Sequence, residues 1–418
     1  MERLKAVKGD IAYSVSPEKI EVFAQSYVVL KEGIVEGVFQ ELPPQYREVE
    51  VADFGRQLII PGFVDLHVHA PQIYERGLGL DMELLEWLDK YTFPQEKKFS
   101  DLKYAEKVYQ YFTDELIRQG TVCASLFATI HRPATELLFD LLSDRGLWAF
   151  VGKVNMDRNC NAELEEDKID SLKDTEEIIK KYRDNPMVKP IITPRFVPAC
   201  SDELLDGLGK LAIQYNVPVQ SHLSENRKEV AWVRDLHPEC RDYSSVYDQY
   251  GLFGQTSTLM AHCIYISDDE IDLLVKNKIT AVHCPESNLN IVSGIMPVRK
   301  MLRKGVAIGL GSDVGGGHNL SIAKAIVRAI QMSKIAKVFD ADQTPLSFEE
   351  AFYMGTMGGG RFFGATGSFE PGFRFDAIVI DDAILGSPEL TILERLQRFV
   401  YIGDDRNITA RFAQSRKI

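Results

Sequence analysis

Between residues 62 and 312 the chain repeats one pattern, short apolar runs separated by helix-length amphipathic segments. The runs fall at 62–69, 121–129, 147–156, 188–196, 217–223, 258–263, 279–284 and 306–312. Strands buried on both faces read as near-continuous apolar stretches, and a helix between consecutive strands makes them pair in parallel. Eight such units predict an α/β fold, a (β/α)₈ barrel. Ser267-Asp268-Asp269-Glu270, just after the sixth run, is a capping box that marks a helix start. The first unit is long, with Leu84-Leu85-Glu86-Trp87-Leu88 and a second helix over 102–118 ahead of Thr121. A helix inserted there is either a lid over the barrel mouth or a place where Trp87 packs into the core.

The two ends of the chain are patterned differently. Residues 5–13, 26–33 and 34–39 are short β-like runs, and Glu32-Gly33 between two of them is a hairpin signal. The strand pattern returns at 372–381 and at 396–403. Neither set can cover its own apolar face. They are therefore expected to join in a small β-sandwich, with residues 1–60 and 366–418 as its two halves and 61–365 as the catalytic barrel.

Composition narrows the possible partners. Lys and Arg number 48 against 61 Asp and Glu, a formal net charge of -13. Binding to a nucleic-acid backbone needs clustered positive charge, so that class is excluded. The six cysteines are scattered without a C-x-x-C pair and read as reduced thiols. No apolar run reaches the ~18 residues a membrane-spanning helix needs, so a cytoplasmic protein without a membrane partner is expected.

The chemistry collects where strands end. In Phe63-Val64-Asp65-Leu66-His67-Val68-His69 the strand period of two places Asp65, His67 and His69 on one face. Two imidazoles spaced i, i+2, about 6 to 7 Å apart along the strand, suit two ligands of one Zn²⁺ or Fe²⁺ ion. Reactive groups of such barrels sit at the C-terminal strand ends. Those ends carry Arg195, His222 with Glu225, His262, His283, and Asp313 within a glycine-rich stretch. Five of the eight histidines, His67, His69, His222, His262 and His283, thus fall at strand ends.

A divalent ion held by imidazoles and a carboxylate lowers the pKa of bound water from ~15.7 towards ~7, which permits hydrolysis. Glu225 can act as general base on that water and pass the proton to a ring nitrogen of the substrate. His262 is either a further ligand or a hydrogen-bond partner of the water. Asp313 can help hold the water in line and protonate a departing amine. Arg195 offers a fork of donors to an exocyclic carbonyl oxygen of a planar ring. Asp65 can accept a hydrogen bond from a ligand imidazole. His283 reads as structural, His131 and His237 carry no pattern, and His318 is expected at the surface.

The set His67-Val68-His69, His222, His262 and Asp313 resembles the amidohydrolase superfamily, in its branch of single-metal deaminases. Longer stretches, Pro61 to Gln72, Leu84 to Pro94, Pro194-Arg195-Phe196, Gln220 to Asn226, His283 to Asn288 and Gly309 to Asp313, are similar to the guanine deaminase family. The resemblance covers nearly the whole chain. It implies a barrel flanked by a β-sandwich, commonly a homodimer, and hydrolysis of guanine to xanthine and ammonia. It further implies that His67, His69, His222 and Asp313 bind zinc, that Glu225 moves the proton and that His262 orients the water. Gln72, Arg195 and Phe196, with His262, would hold the purine.

Two absences sharpen this. Binuclear relatives place a modified lysine at the end of the fourth strand, where this chain has Arg195, with Lys189 near the strand's start. The other zinc deaminase architecture needs H-x-E followed by P-C-x-x-C, and His237-Pro238-Glu239 has no such partner. The readings left beside guanine are another oxopurine, a pterin or an aminopyrimidine, and, more remotely, a scaffold without catalysis.

Overall fold

The computed structural model describes residues 5–386 and 389–418. In chain order the strands are β1 (Ala6–Ser16), β2 (Lys19–Lys31), β3 (Ile34–Phe39), β4 (Val51–Pro61), β5 (Phe63–His69), β6 (Thr121–Phe127), β7 (Trp148–Gly152), β8 (Val154–Asn155) and β9 (Val188–Pro190). They continue as β10 (Thr193–Pro194), β11 (Val219–Leu223), β12 (Thr258–His262), β13 (Thr280–His283), β14 (Ala307–Leu310), β15 (Ala377–Ile380), β16 (Ile408–Ala413) and β17 (Arg416–Lys417).

The barrel is built from two four-stranded arcs, β5-β6-β7-β9 and β11-β12-β13-β14. A parallel bridge between Ile192 and Val219 links the arcs on one side. On the other, Asp313 N donates to His67 O at 2.8 Å and His69 N to Val314 O at 3.0 Å, which brings the end of the eighth strand onto the first. Every residue of β5 and β6 is buried, as expected for strands covered on both faces. The runs 147–156 and 188–196 each break into two short strands. Pro190 and Pro194 lack the amide N–H that would continue the ladder.

By contacts, residues Leu66–Thr113 and Ala124–Leu320 form one compact unit, and Met1–Asp65, Asp114–Cys123 and Ser321–Ile418 form another. In the second unit both termini build one seven-stranded sheet, β17-β16-β15-β4-β1-β2-β3. Its apolar faces close on a shared core that includes Val7, Ile11, Val28, Ile59, Phe375, Val379 and Phe412. Burial of each such side chain contributes roughly 1.5–3 kcal/mol. The Glu32-Gly33 hairpin is present, with φ of 53° and 86° at its central pair, a mirror-image turn that matches strand twist.

The expectation of a strand at 396–403 is overturned, because Ile392–Ile402 is an α-helix. Thr391 caps it reciprocally with Glu394, and Leu396, Phe399 and Val400 are buried on one face at helical spacing. Arg395 also reaches Asp10 at 2.6 Å and Asp382 at 2.8 Å. β15 pairs with β16, later in the chain, and on its other edge with β4. The expected strand at 372–381 is confined to Ala377–Ile380.

Candidate active site

His67 and His69 close β5, and their Nε2 atoms lie 3.2 Å apart. His222 Nε2 stands 3.2 Å from His69 Nε2. His222 Nδ1 donates to the Arg195 carbonyl oxygen at 2.6 Å, which leaves the Nε2 lone pair facing the other two imidazoles. Asp313 Oδ1 completes the group, 3.2 Å from His67 Nε2 and 3.5 Å from His69 Nε2. Ligand bonds of ~2.0–2.1 Å around a tetrahedral Zn²⁺ imply ligand-to-ligand edges of ~3.3 Å, so these four atoms already have the spacing of a metal shell. The fit is also electrostatic. Buried lone pairs aimed at one another repel unless a cation stands between them.

Burial holds all three imidazoles neutral and ready to ligate. It lowers His67 against the pull of Asp313, and it carries His69 and His222 well below the ordinary value with help from neighbouring histidines. Burial alone would raise Asp313, yet the hydrogen bond from His67 and the electrostatic pull of the neighbouring imidazoles keep its carboxyl far below the usual range. The backbone is strained at this rim. Ser224, His262, Cys263 and Asp313 all have left-handed φ, from 46° to 73° among these non-glycine residues, a conformation that clusters at functional sites.

Glu225 lies three residues beyond His222, in the connection before the helix Arg227–Leu236, and is buried. Ser293 Oγ donates to its Oε1 at 3.0 Å, while its Oε2 faces His262 Nε2 at 3.4 Å. Burial pushes its carboxyl up to about 7, with His262 opposing, so the group can take and give a proton near neutrality. His262 Nδ1 donates to Asn288 Oδ1 at 2.9 Å, which points Nε2 at Glu225 and, at 3.7 Å, at Asp313 Oδ2. Burial acts to lower the His262 imidazole, but the carboxylates of Glu225 and Asp313 prevail and raise it.

Beside this cluster the pocket is lined by Gln72, Arg195 and Phe196 together with Leu84 and Trp87. Gln72 Nε2 donates to Glu96 Oε1 at 2.8 Å, and Gln72 Oε1 accepts from Gly315 N at 2.9 Å. Arg195 Nη1 donates to Glu96 Oε2 at 2.5 Å, so one carboxylate holds both polar side chains. Trp87 is 3% exposed in an apolar cluster with Leu84, Phe127, Phe196 and Ile291, and its Nε1 donates to Leu78 O at 3.1 Å. The helix that carries Trp87 widens into a π-turn at Leu88–Thr92 ahead of Pro94, and its next turn delivers Glu96.

All the sequence-predicted site residues, His67, His69, Gln72, Arg195, Phe196, His222, Glu225, His262 and Asp313, are therefore brought together. The reading of Arg195 missed its partner Glu96, and Asn288 and Ser293 also escaped it. A search for the counter-charge that a buried arginine requires would have led to Glu96. His283 stays outside the histidine cluster, where burial pushes its imidazole down to about 3. The Cys284 thiol lies within 4.8 Å of donor atoms of His67, His262 and Asp313. His318 is exposed beside Glu286, at 3.3 Å, and Lys189 is exposed on β9.

Three comparisons bear on this arrangement. Residues 58–416 match the pattern of the Amidohydrolase family. The guanine deaminase of Dictyostelium discoideum is 39% identical over 99% of this chain and 98% of its own length. That of Escherichia coli (strain K12) is 33% identical over 99% and 98%. A crystal structure of guanine deaminase from C. acetobutylicum with bound guanine in the active site superposes with a TM-score of 0.98 at 50% identity, covering 99% of each chain. With the match running over most of its length, the chain belongs to the amidohydrolase family.

Proposed function

We propose that the chain is a metal-dependent hydrolase that converts guanine and water into xanthine and ammonia. The observation that carries this reading is the convergence of His67, His69, His222 and Asp313 at ligand spacing beside Glu225, in a chain 50% identical to a guanine-bound deaminase. The cation these residues would hold, Zn²⁺ with Fe²⁺ also suited to the donors, supplies an activated water nucleophile when bound.

The chain's own groups do the rest. Arg195 and Gln72, both fixed by Glu96, present donors to the purine's polar edge, and Phe196 with Trp87 encloses the flat ring. Arg195, already neutralised by Glu96, offers its remaining N–H groups to the exocyclic carbonyl oxygen. His262 and Asp313 orient the water towards C2. Glu225 takes a proton from that water and hands it to N3 as the new C–O bond forms. Asp313 takes the remaining proton from the new C2 hydroxyl and passes it to the amine, the C2–N bond breaks, ammonia departs, and the ring regains its planar oxo form as xanthine.

The catalytic unit of this reading is the barrel of residues 61–365, flanked by 1–60 and 366–418, and working as a homodimer in the cytoplasm. The sequence resemblance supports that organisation. No helix among the described residues is long and apolar enough to cross a membrane. The test is direct. Purified zinc-loaded protein given guanine should form xanthine and ammonia in equal amounts, and no turnover would overturn the reading.

A further inference from the structure

A second group of donor atoms lies away from the pocket. His237-Pro238-Glu239-Cys240 follows the helix Arg227–Leu236, and His237 is 2% exposed. Neither His237 Nδ1 nor His237 Nε2 has a hydrogen-bond partner. A buried polar atom left unsatisfied costs roughly 1–3 kcal/mol, so an imidazole with both nitrogens bare calls for an explanation. Glu239 Oε1 stands 3.5 Å from His237 Nδ1, and Cys240 Sγ lies 3.8 Å from the same oxygen. Donor atoms of His237, Glu239 and Cys240 all fall within 4.8 Å of one another. A tetrahedral zinc shell with these donors has edges of ~3.3 to 3.6 Å, so two of the three edges are nearly formed. His237 and Cys240 also line a cavity with Arg234 and Tyr265, which gives a fourth ligand room to enter.

We propose that His237, Glu239 and Cys240 form a second divalent-cation site, separate from the catalytic cluster. The donor set of imidazole nitrogen, thiolate and carboxylate oxygen suits borderline-soft Zn²⁺ and disfavours Mg²⁺ and Ca²⁺. Water takes the fourth position, and the Cys240 thiol proton leaves to solvent when the metal binds. Asp202, whose Oδ1 is 3.9 Å from His237 Nε2, adds negative charge behind the imidazole. The metal ties the loop after Arg227–Leu236 to itself just before the helix Tyr243–Gln249 begins. Its role is structural and independent of the deaminase reading.

Cobalt replaces zinc and reports thiolate ligation by a near-ultraviolet charge-transfer band. Full-length protein loaded with Co²⁺ should hold about two metal equivalents per chain and show that band. Cys240→Ser should lose the band and one equivalent while guanine turnover is unchanged. Glu239→Gln, a change at an exposed position, should weaken the second equivalent by roughly 10-fold or more. Cys284→Ser controls for the other nearby thiol and should keep the band. A wild-type protein that takes up one equivalent, or a band that survives Cys240→Ser or vanishes with Cys284→Ser, overturns the proposal.

Discussion

Arg195 Nη1 and Glu96 Oε2 meet at 2.5 Å with both side chains buried, so the cation facing the pocket is neutralised before any substrate arrives. The same carboxylate receives the Gln72 amide. Glu96 therefore holds in place both side chains that are proposed to contact the substrate.

Glu96→Gln keeps the shape and removes the charge. Hydrogen bonds to charged groups are worth about 1.5–3 kcal/mol, so KM for guanine should rise roughly 10- to 100-fold while kcat changes less. Steady-state kinetics decide it. An unaltered KM would show that Arg195 and Gln72 are held without Glu96.

Glu225→Gln should lower kcat by about 10²–10⁴, because it removes the proton carrier. Metal content should stay at the wild-type level, since Glu225 is not placed among the ligands. A variant that retains the wild-type rate would remove Glu225 from the proton path.

Gly311 tests the packing behind the cluster. A Cβ there would lie 2.8 Å from His67 Cβ, 3.0 Å from His67 O and 3.0 Å from Val282 Cγ1, and the two His67 atoms are fixed by the backbone. Gly311→Ala should displace His67 and weaken catalytic metal binding by 10-fold or more, on the scale seen when ligand orientation is disturbed (about 10- to 100-fold). Equilibrium dialysis against zinc measures it.

Glu75 links pH to stability. It is buried, accepts from Thr92 Oγ1 at 3.1 Å, and its carboxyl is pushed up to about 8 by burial and then by the charge of Glu96. The folded state thus binds this proton more tightly than the unfolded chain, whose glutamate titrates near ~4.3. That contribution to stability is complete below the unfolded value and is lost as pH rises towards 8. Glu75→Gln mimics the protonated form. Its melting temperature should match wild type near the acid end and exceed it increasingly up to pH 8. Parallel pH profiles for the two proteins would contradict this.

Much of the barrel was legible in the chain because strands buried on both faces leave unbroken apolar runs, and the residues that converge in the candidate site stand at their ends. His67 and His69 share a strand face by alternation alone, and His222, His262 and Asp313 follow from the strand-end rule. What stayed hidden depends on contacts far apart in sequence. Glu96 reads as an ordinary helix acid until folding sets it against Arg195, 99 residues away. Leu396 to Gly403 reads equally as strand or helix over so few residues, and the Thr391–Glu394 cap that settles it lies just upstream.

The proposed chemistry depends on one cation joining His67, His69, His222 and Asp313 in an active deaminase. Anomalous diffraction at the zinc edge, on crystals of protein that turns over guanine, locates that cation. A peak ~2.0–2.2 Å from the three Nε2 atoms and Asp313 Oδ1 is the result expected of zinc bonded to nitrogen and oxygen. Active crystals with no peak among those atoms would contradict it.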